Sequence, residues 1–128
     1  MYSVTDRRVH LAACPSYEES LVNKAVAECM DRFAMAKELA GKRVLIKANL
    51  LSAYKPERAA TTHPAVVAAV VRYAKAAGAA SVVIADSPGG IFTRQALEHL
   101  YRVTGMEKAA KDTGAELNFD VGGEEKQG

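Results

Sequence analysis

The sequence has no apolar run approaching the roughly 20 residues needed to span a bilayer. Its first residues, Met1 to Arg8, contain no apolar core of a secretory signal. An excess of one charge is also missing, since Lys and Arg are scattered beside Asp and Glu and the net charge is +2. With neither a basic stripe nor aromatics interleaved among basic residues, no nucleic-acid partner and no membrane partner are expected. Cysteine is scarce. Cys14 and Cys29 form neither a CxxC pair nor a disulfide framework, so reduced thiols and a cytoplasmic location are the simpler expectation. No phosphate loop of the GxxxxGKS or GxxxxGKT type occurs, which disfavours a P-loop ATPase. Gly89-Gly90 is not a GxGxxG fingerprint and does not follow the first expected strand, so a dinucleotide site has little support. No internal repeat and no interdomain linker are visible.

What is present is a chain of 128 residues with 49% apolar residues. That suffices for one soluble domain with a buried core, expected over residues 1–121, followed by a polar, disordered tail over 122–128. Val9 to Cys14 reads as a first strand stopped by Pro15. Ser16 with Glu19 three residues on carries a capping-box signature, and Val22, Val26, Cys29, Met30 and Phe33 then make one helical face. Val44 to Ala48 is a second strand, apolar on both faces as in a helix-covered parallel sheet. A helix beginning near Thr61, Thr62 and Pro64 buries Val66, Val67, Val70, Val71 and Ala74 and ends at Gly78. Ser81 to Ala85 is a third strand. Helices from Thr93 and over Met106 to Thr113 lead to a fourth strand at Glu116 to Val121. This alternation predicts an α/β fold: a three-layer, Rossmann-like parallel sheet of about four strands with helices on both faces. The strand order stays open between a Rossmann-type order, which sets the second and third strands side by side, and a flavodoxin-type order, which separates them.

In such sheets, ligands bind beyond the carboxyl ends of the strands. Polar residues gather there after the second and third strands. Lys47, in an apolar strand, must meet an anion or reach solvent; its partner is either Asp86 or a ligand's phosphate or carboxylate. Asn49 shares its face and either presents its amide or bonds its own turn. His63, at a helix start that disfavours positive charge, suits a hydrogen-bond donor, a general base or a metal ligand, or else a capping residue. The helix N–H groups with Thr61 and Thr62 form a candidate anion seat. Asp86, Ser87, Gly89 and Gly90 make either a tight turn or a place where backbone N–H groups approach a phosphate. Cys14, before a helix start, is either a thiol of lowered pKa or a small inert hydrophobe. The candidate catalytic residues are therefore His63 and Lys47. Those for ligand binding are Lys47, Asn49, Thr61, Thr62, Asp86, Ser87, Gly89 and Gly90. No metal site is assigned.

The stretches Val44-Leu45-Ile46-Lys47-Ala48-Asn49-Leu50-Leu51, Ala60-Thr61-Thr62-His63-Pro64-Ala65-Val66-Val67, Ala76-Ala77-Gly78-Ala79 and Val83-Ile84-Ala85-Asp86-Ser87-Pro88-Gly89 resemble, in order and spacing, the domain-of-unknown-function family 362. The likeness runs from about Val9 to Asp120. Ala48 departs from the pattern, where the family usually has proline. The resemblance implies the N-terminal part of a longer protein. Many members carry ferredoxin-like cysteine clusters, which implies iron–sulfur centres on sequence beyond this chain and no cofactor within it.

Three functions are compatible with these residues. The first is binding of a small anionic ligand or cofactor at the sheet's carboxyl edge, as part of an iron–sulfur-associated redox protein. The second is a proton-transfer enzyme of the isomerase or racemase type acting beside a carboxylate, with His63 as base and Lys47 as clamp. The third is a non-catalytic interaction module, including a homodimer through an incomplete edge.

Overall fold

The computed structural model describes residues 7–50, 52–86 and 93–120. Helix α1 (Glu19–Arg32) is followed by the short α2 (Met35–Leu39) and strand β1 (Arg43–Lys47). A 3-10 turn, Pro56–Arg58, precedes α3 (Pro64–Ala76) and β2 (Ser81–Ala85). Helices α4 (Arg94–Val103) and α5 (Met106–Thr113) then lead to β3 (Glu116–Leu117). The α/β class and the parallel sheet expected from the alternation are present, with strands in the order β1-β2-β3.

This sequential order is neither of the two anticipated. It places the second and third expected strands side by side, as a Rossmann-type order does, but then sets the fourth beside the third. Both crossovers step in the same direction, and right-handed crossovers of that kind put their helices on the same side of the sheet. The packing agrees. Val44, Ile46, Val82 and Ile84 share a face and pack with Val67, Val71, Leu97, Leu100, Tyr101 and Met106 in one core. Helix α1 packs on α3 rather than on the sheet. On the other face of β1, Leu45 is 64% exposed, so the expected cover on both faces is found on one face among the described residues.

The first expected strand is corrected as well. Val9 to Cys14 is not a strand; it runs along α1, with Val9 79% and Leu11 88% exposed. Its apolar alternation fits a pleated strand, but alternation forms a ladder only where a neighbouring strand supplies the hydrogen bonds. The capping box does not form either. Ser16 Oγ accepts from the Glu18 N–H at 3.2 Å, and Glu18 itself precedes the first turn of α1. The fourth strand, expected over Glu116 to Val121, ends at Leu117, and 118–120 continue without strand structure; Val121 and the expected tail at 122–128 lie outside the described residues.

The element that positions the candidate site is α3. Pro64 starts it, where a missing N–H costs nothing. Its four valines are β-branched and intrinsically mediocre helix formers. Val67 and Val71, with Ala74, hold the helix by burial against the sheet, each valine contributing about 1.5–3 kcal/mol. Gly105 brings the start of α5 against this helix start. A Cβ there would lie 2.7 Å from Pro64 Cγ, and its φ of +84° is one that glycine adopts without strain.

Candidate functional site

At the carboxyl end of β1 the alternation of side chains sets Lys47 and Asn49 outward and Ala48 and Leu50 inward. Lys47 Nζ donates to Asn49 Oδ1 at 3.1 Å and pairs with Asp86 Oδ1 at 3.0 Å. Asp86 follows β2 directly and is nearly all buried, 5% exposed at its side chain against 60% for Lys47. Its second oxygen, Oδ2, accepts from the buried Leu50 N–H at 2.7 Å. One carboxylate thus holds both the cation at the end of β1 and the backbone three residues beyond it. The choice left open for Lys47 is met by Asp86, with the ammonium still facing solvent.

A second set of bonds ties β1 to α3. The Asn49 N–H donates to Thr62 Oγ1 at 3.0 Å, and the Thr62 N–H donates back to the Asn49 carbonyl, also at 3.0 Å. Asn49 is therefore bonded through its side chain to Lys47 and through its backbone to Thr62. Thr61 Oγ1 is buried and has no hydrogen-bond partner among the described residues.

His63 is the N-cap of α3, the capping role that was one of the alternatives for it. Its Nδ1 accepts from the Ala65 N–H at 3.0 Å. A neutral imidazole has one acceptor nitrogen and one donor nitrogen, so this bond leaves Nε2 carrying the proton. Partial burial lowers the His63 pKa from its usual value of 6.5, outweighing the opposing pull of Glu57. The exposed Tyr17 ring lies flat on the imidazole, with centroids 3.6 Å apart and planes 2° from parallel. No pattern in the sequence links Tyr17 to His63, and the contact exists only because the loop before α1 meets the start of α3.

The helix start expected as an anion seat is closed by its own residues. Pro64 has no N–H, the Ala65 N–H is taken by Nδ1, and the Val66 and Val67 N–H groups bond the His63 carbonyl at 3.0 and 3.3 Å. Ser87, Gly89 and Gly90 lie outside the described residues. Lys47, Asn49, Thr62 and Asp86 are thus brought together as one bonded chain; Thr61 and His63 flank Thr62 in sequence, and His63 bonds only the start of its own helix. Cys14 is exposed, with Sγ bonded to the Ser16 carbonyl at 3.3 Å, and Cys29 is half-buried on α1. Among the described residues no group of three or more His, Cys, Asp or Glu is placed to hold a metal, and no helix is long and apolar enough to cross a membrane.

This arrangement presents one exposed ammonium, fixed from beneath by a buried carboxylate. Two of its three N–H donors are used and one remains for a ligand. Among protein families, the model described as "Domain of unknown function (DUF362)" matches residues 44–127. The match takes in β1 from Val44, the site and the elements C-terminal to it. Comparisons with curated proteins and with solved structures returned no match.

Proposed function

The chain belongs to the DUF362 family, and from that premise we propose that its domain binds a small anionic ligand or cofactor at the carboxyl edge of the sheet. The observation that carries this reading is the asymmetry of the Lys47–Asp86 pair. A buried carboxylate holds a lysine whose side chain is more than half exposed, so an incoming phosphate or carboxylate meets a positioned ammonium without displacing its support. Asn49 orients the same ammonium, and the Thr62 latch keeps Asn49 in place. Inorganic phosphate is the probe. Titrated into the isotope-labelled chain, it should shift the amide signals of Lys47, Asn49 and Thr62 saturably. Lys47→Met should abolish that response while leaving the fold intact. Equal phosphate binding by Lys47→Met would remove this reading.

The wider reading sets this edge in a cytoplasmic, iron–sulfur-associated redox protein. Cys14 and Cys29 do not fit a cluster, because a cluster of this class takes four protein ligands and the chain supplies two thiols. No step is therefore assigned to such a group here. The proton-transfer alternative needs a base. With Nδ1 occupied by the Ala65 N–H, neutral His63 offers a donor at Nε2, so the geometry favours a hydrogen-bonding role for it.

The interaction-module alternative is favoured by one observation. Leu45 is 64% exposed on β1, an edge strand whose outer side has no neighbouring strand among the described residues. A second copy pairing antiparallel about Leu45 would set Arg43 opposite Lys47, opposing like charges. A homodimer through this edge should therefore strengthen with salt. Sedimentation that finds only monomer at low and high salt alike removes that reading.

A further inference from the structure

Away from the sheet edge, a cleft of about 320 Å³ runs between α1, α3 and α5. Its floor is made of small and cyclic residues, Pro64, Ala65, Ala68 and Ala109. Gly105 at Pro64 closes the two helices together at one end, and the alanines at 68 and 109 leave a trough between them. The volume lies at the low end of small-molecule sites, and the lining has their usual character, mostly apolar with a few polar groups.

The charges on its walls are unequal in placement. Arg72 is two-thirds covered, with its side chain 33% exposed, while its counter-ion Glu19 stands 70% exposed at 3.5 Å. Such a loose, solvent-facing pair is easily exchanged. Arg72 Nη1 also donates to Asn23 Oδ1 at 3.3 Å, which keeps the guanidinium in place when Glu19 leaves. Lys108 adds a second cation and is paired with Asp112 at 2.7 Å. The better-covered charge on the cleft wall is thus positive, and a planar guanidinium matches a carboxylate. His63 lines the opposite end, and its Nε2 donor has no hydrogen-bond acceptor among the described residues. From Ala65 to Arg72 the helix rises about 10 Å, the length of a ring with a short carboxylate tail.

We propose that this cleft binds a small monocarboxylate with a flat apolar body, its ring on the alanine and proline floor and its carboxylate on Arg72. Arg72 and the alanine floor are not residues of the Lys47 edge, so the proposal stands whether or not that edge binds an anion. The test uses 3-phenylpropionate, with 3-phenylpropan-1-ol and 3-phenylpropylammonium as its uncharged and cationic counterparts. Each is titrated into the full isotope-labelled chain while the Ala65, Ala68 and Ala109 amides are followed. The carboxylate should bind about tenfold more tightly than the alcohol. Arg72→Gln should erase that preference without weakening the alcohol. Absence of a saturable carboxylate response at these amides in the folded wild-type chain overturns the proposal. So does ammonium binding as tight as carboxylate binding, or a carboxylate preference that survives in Arg72→Gln.

Discussion

Replacing Asp86 by alanine separates the two tasks of its carboxylate. Oδ2 accepts from the buried Leu50 N–H at 2.7 Å, and losing it leaves that donor without a partner where water does not reach. An orphaned buried donor costs about 1–3 kcal/mol. Oδ1 pairs with Lys47, whose side chain is 60% exposed, so that contact adds only about 0–1 kcal/mol. Asp86→Ala should therefore cost about 1–4 kcal/mol, whereas Lys47→Met should cost less than about 1 kcal/mol. For a domain of this size the alanine variant should melt roughly 10 °C lower. Urea denaturation of the wild type, both single variants and the double variant gives the coupling between the two residues directly. A Lys47→Met variant as unstable as Asp86→Ala would refute the reasoning. It would mean that the cation, rather than the Leu50 N–H, depends on the carboxylate, and that Lys47 is a structural residue unavailable to a ligand.

His63 makes stability depend on pH. Its folded pKa is lowered mainly by burial, so below about pH 6.5 the unfolded chain takes up a proton that the folded chain resists. Its contribution is complete above the unfolded value and is lost as pH falls through the folded one, because protonated Nδ1 cannot accept from the Ala65 N–H. Urea midpoints measured from pH 7.5 down to 5.5, a span of about two units around the ordinary histidine value, should fall more steeply for the wild type than for His63→Asn, which can cap without titrating; parallel curves would sink this. Gly105→Ala should be more damaging than Gly78→Ala. Both have positive φ, but a Cβ at Gly105 meets Pro64 at 2.7 Å and one at Gly78 meets nothing within 4 Å. The shared backbone strain is about 1–2 kcal/mol, so thermal melts that rank the two variants equally would show that the Pro64 contact relaxes freely. Tyr101→Phe removes the 2.7 Å bond from its hydroxyl to the Asn118 carbonyl and should cost about 1 kcal/mol in urea melts; no change would mean that water replaces the bond.

The strands and helices from Val44 onward were legible because each carries its own signal. The run Val44 to Ala48 is short and apolar, Pro64 and Gly78 bracket a valine stripe, and Gly105 and Gly114 bracket α5. The Val9 to Cys14 segment shows the limit of such signals. It has the same alternation as a strand, yet a strand is defined by its neighbour, and the segment lies along α1 with its apolar residues in solvent. The one-sided packing was hidden for a related reason. Leu45 is as apolar as Ile46, and only the direction of two successive crossovers decides which of them is covered.

At the site, residue chemistry identified the participants but not how their bonds are distributed. Lys47 and Asp86 were readable as a possible pair, because a lysine in an apolar strand needs an anion and an aspartate ends the next strand. That Asp86 also holds the Leu50 N–H was not readable, since backbone donors have no sequence identity. At α3 a free helix start and a capping His63 were both open, and the bonds decide for the cap, made with Nδ1 and the His63 carbonyl. That capping shifts the weight of the edge from the helix terminus to Lys47, the one cation among the described residues there that is both held in place and largely exposed. An anion bound at this edge should therefore lose affinity with Lys47→Met and keep it with His63→Asn. The reverse order would mean that the helix cap opens to admit the ligand, and that His63 rather than Lys47 is the residue to follow.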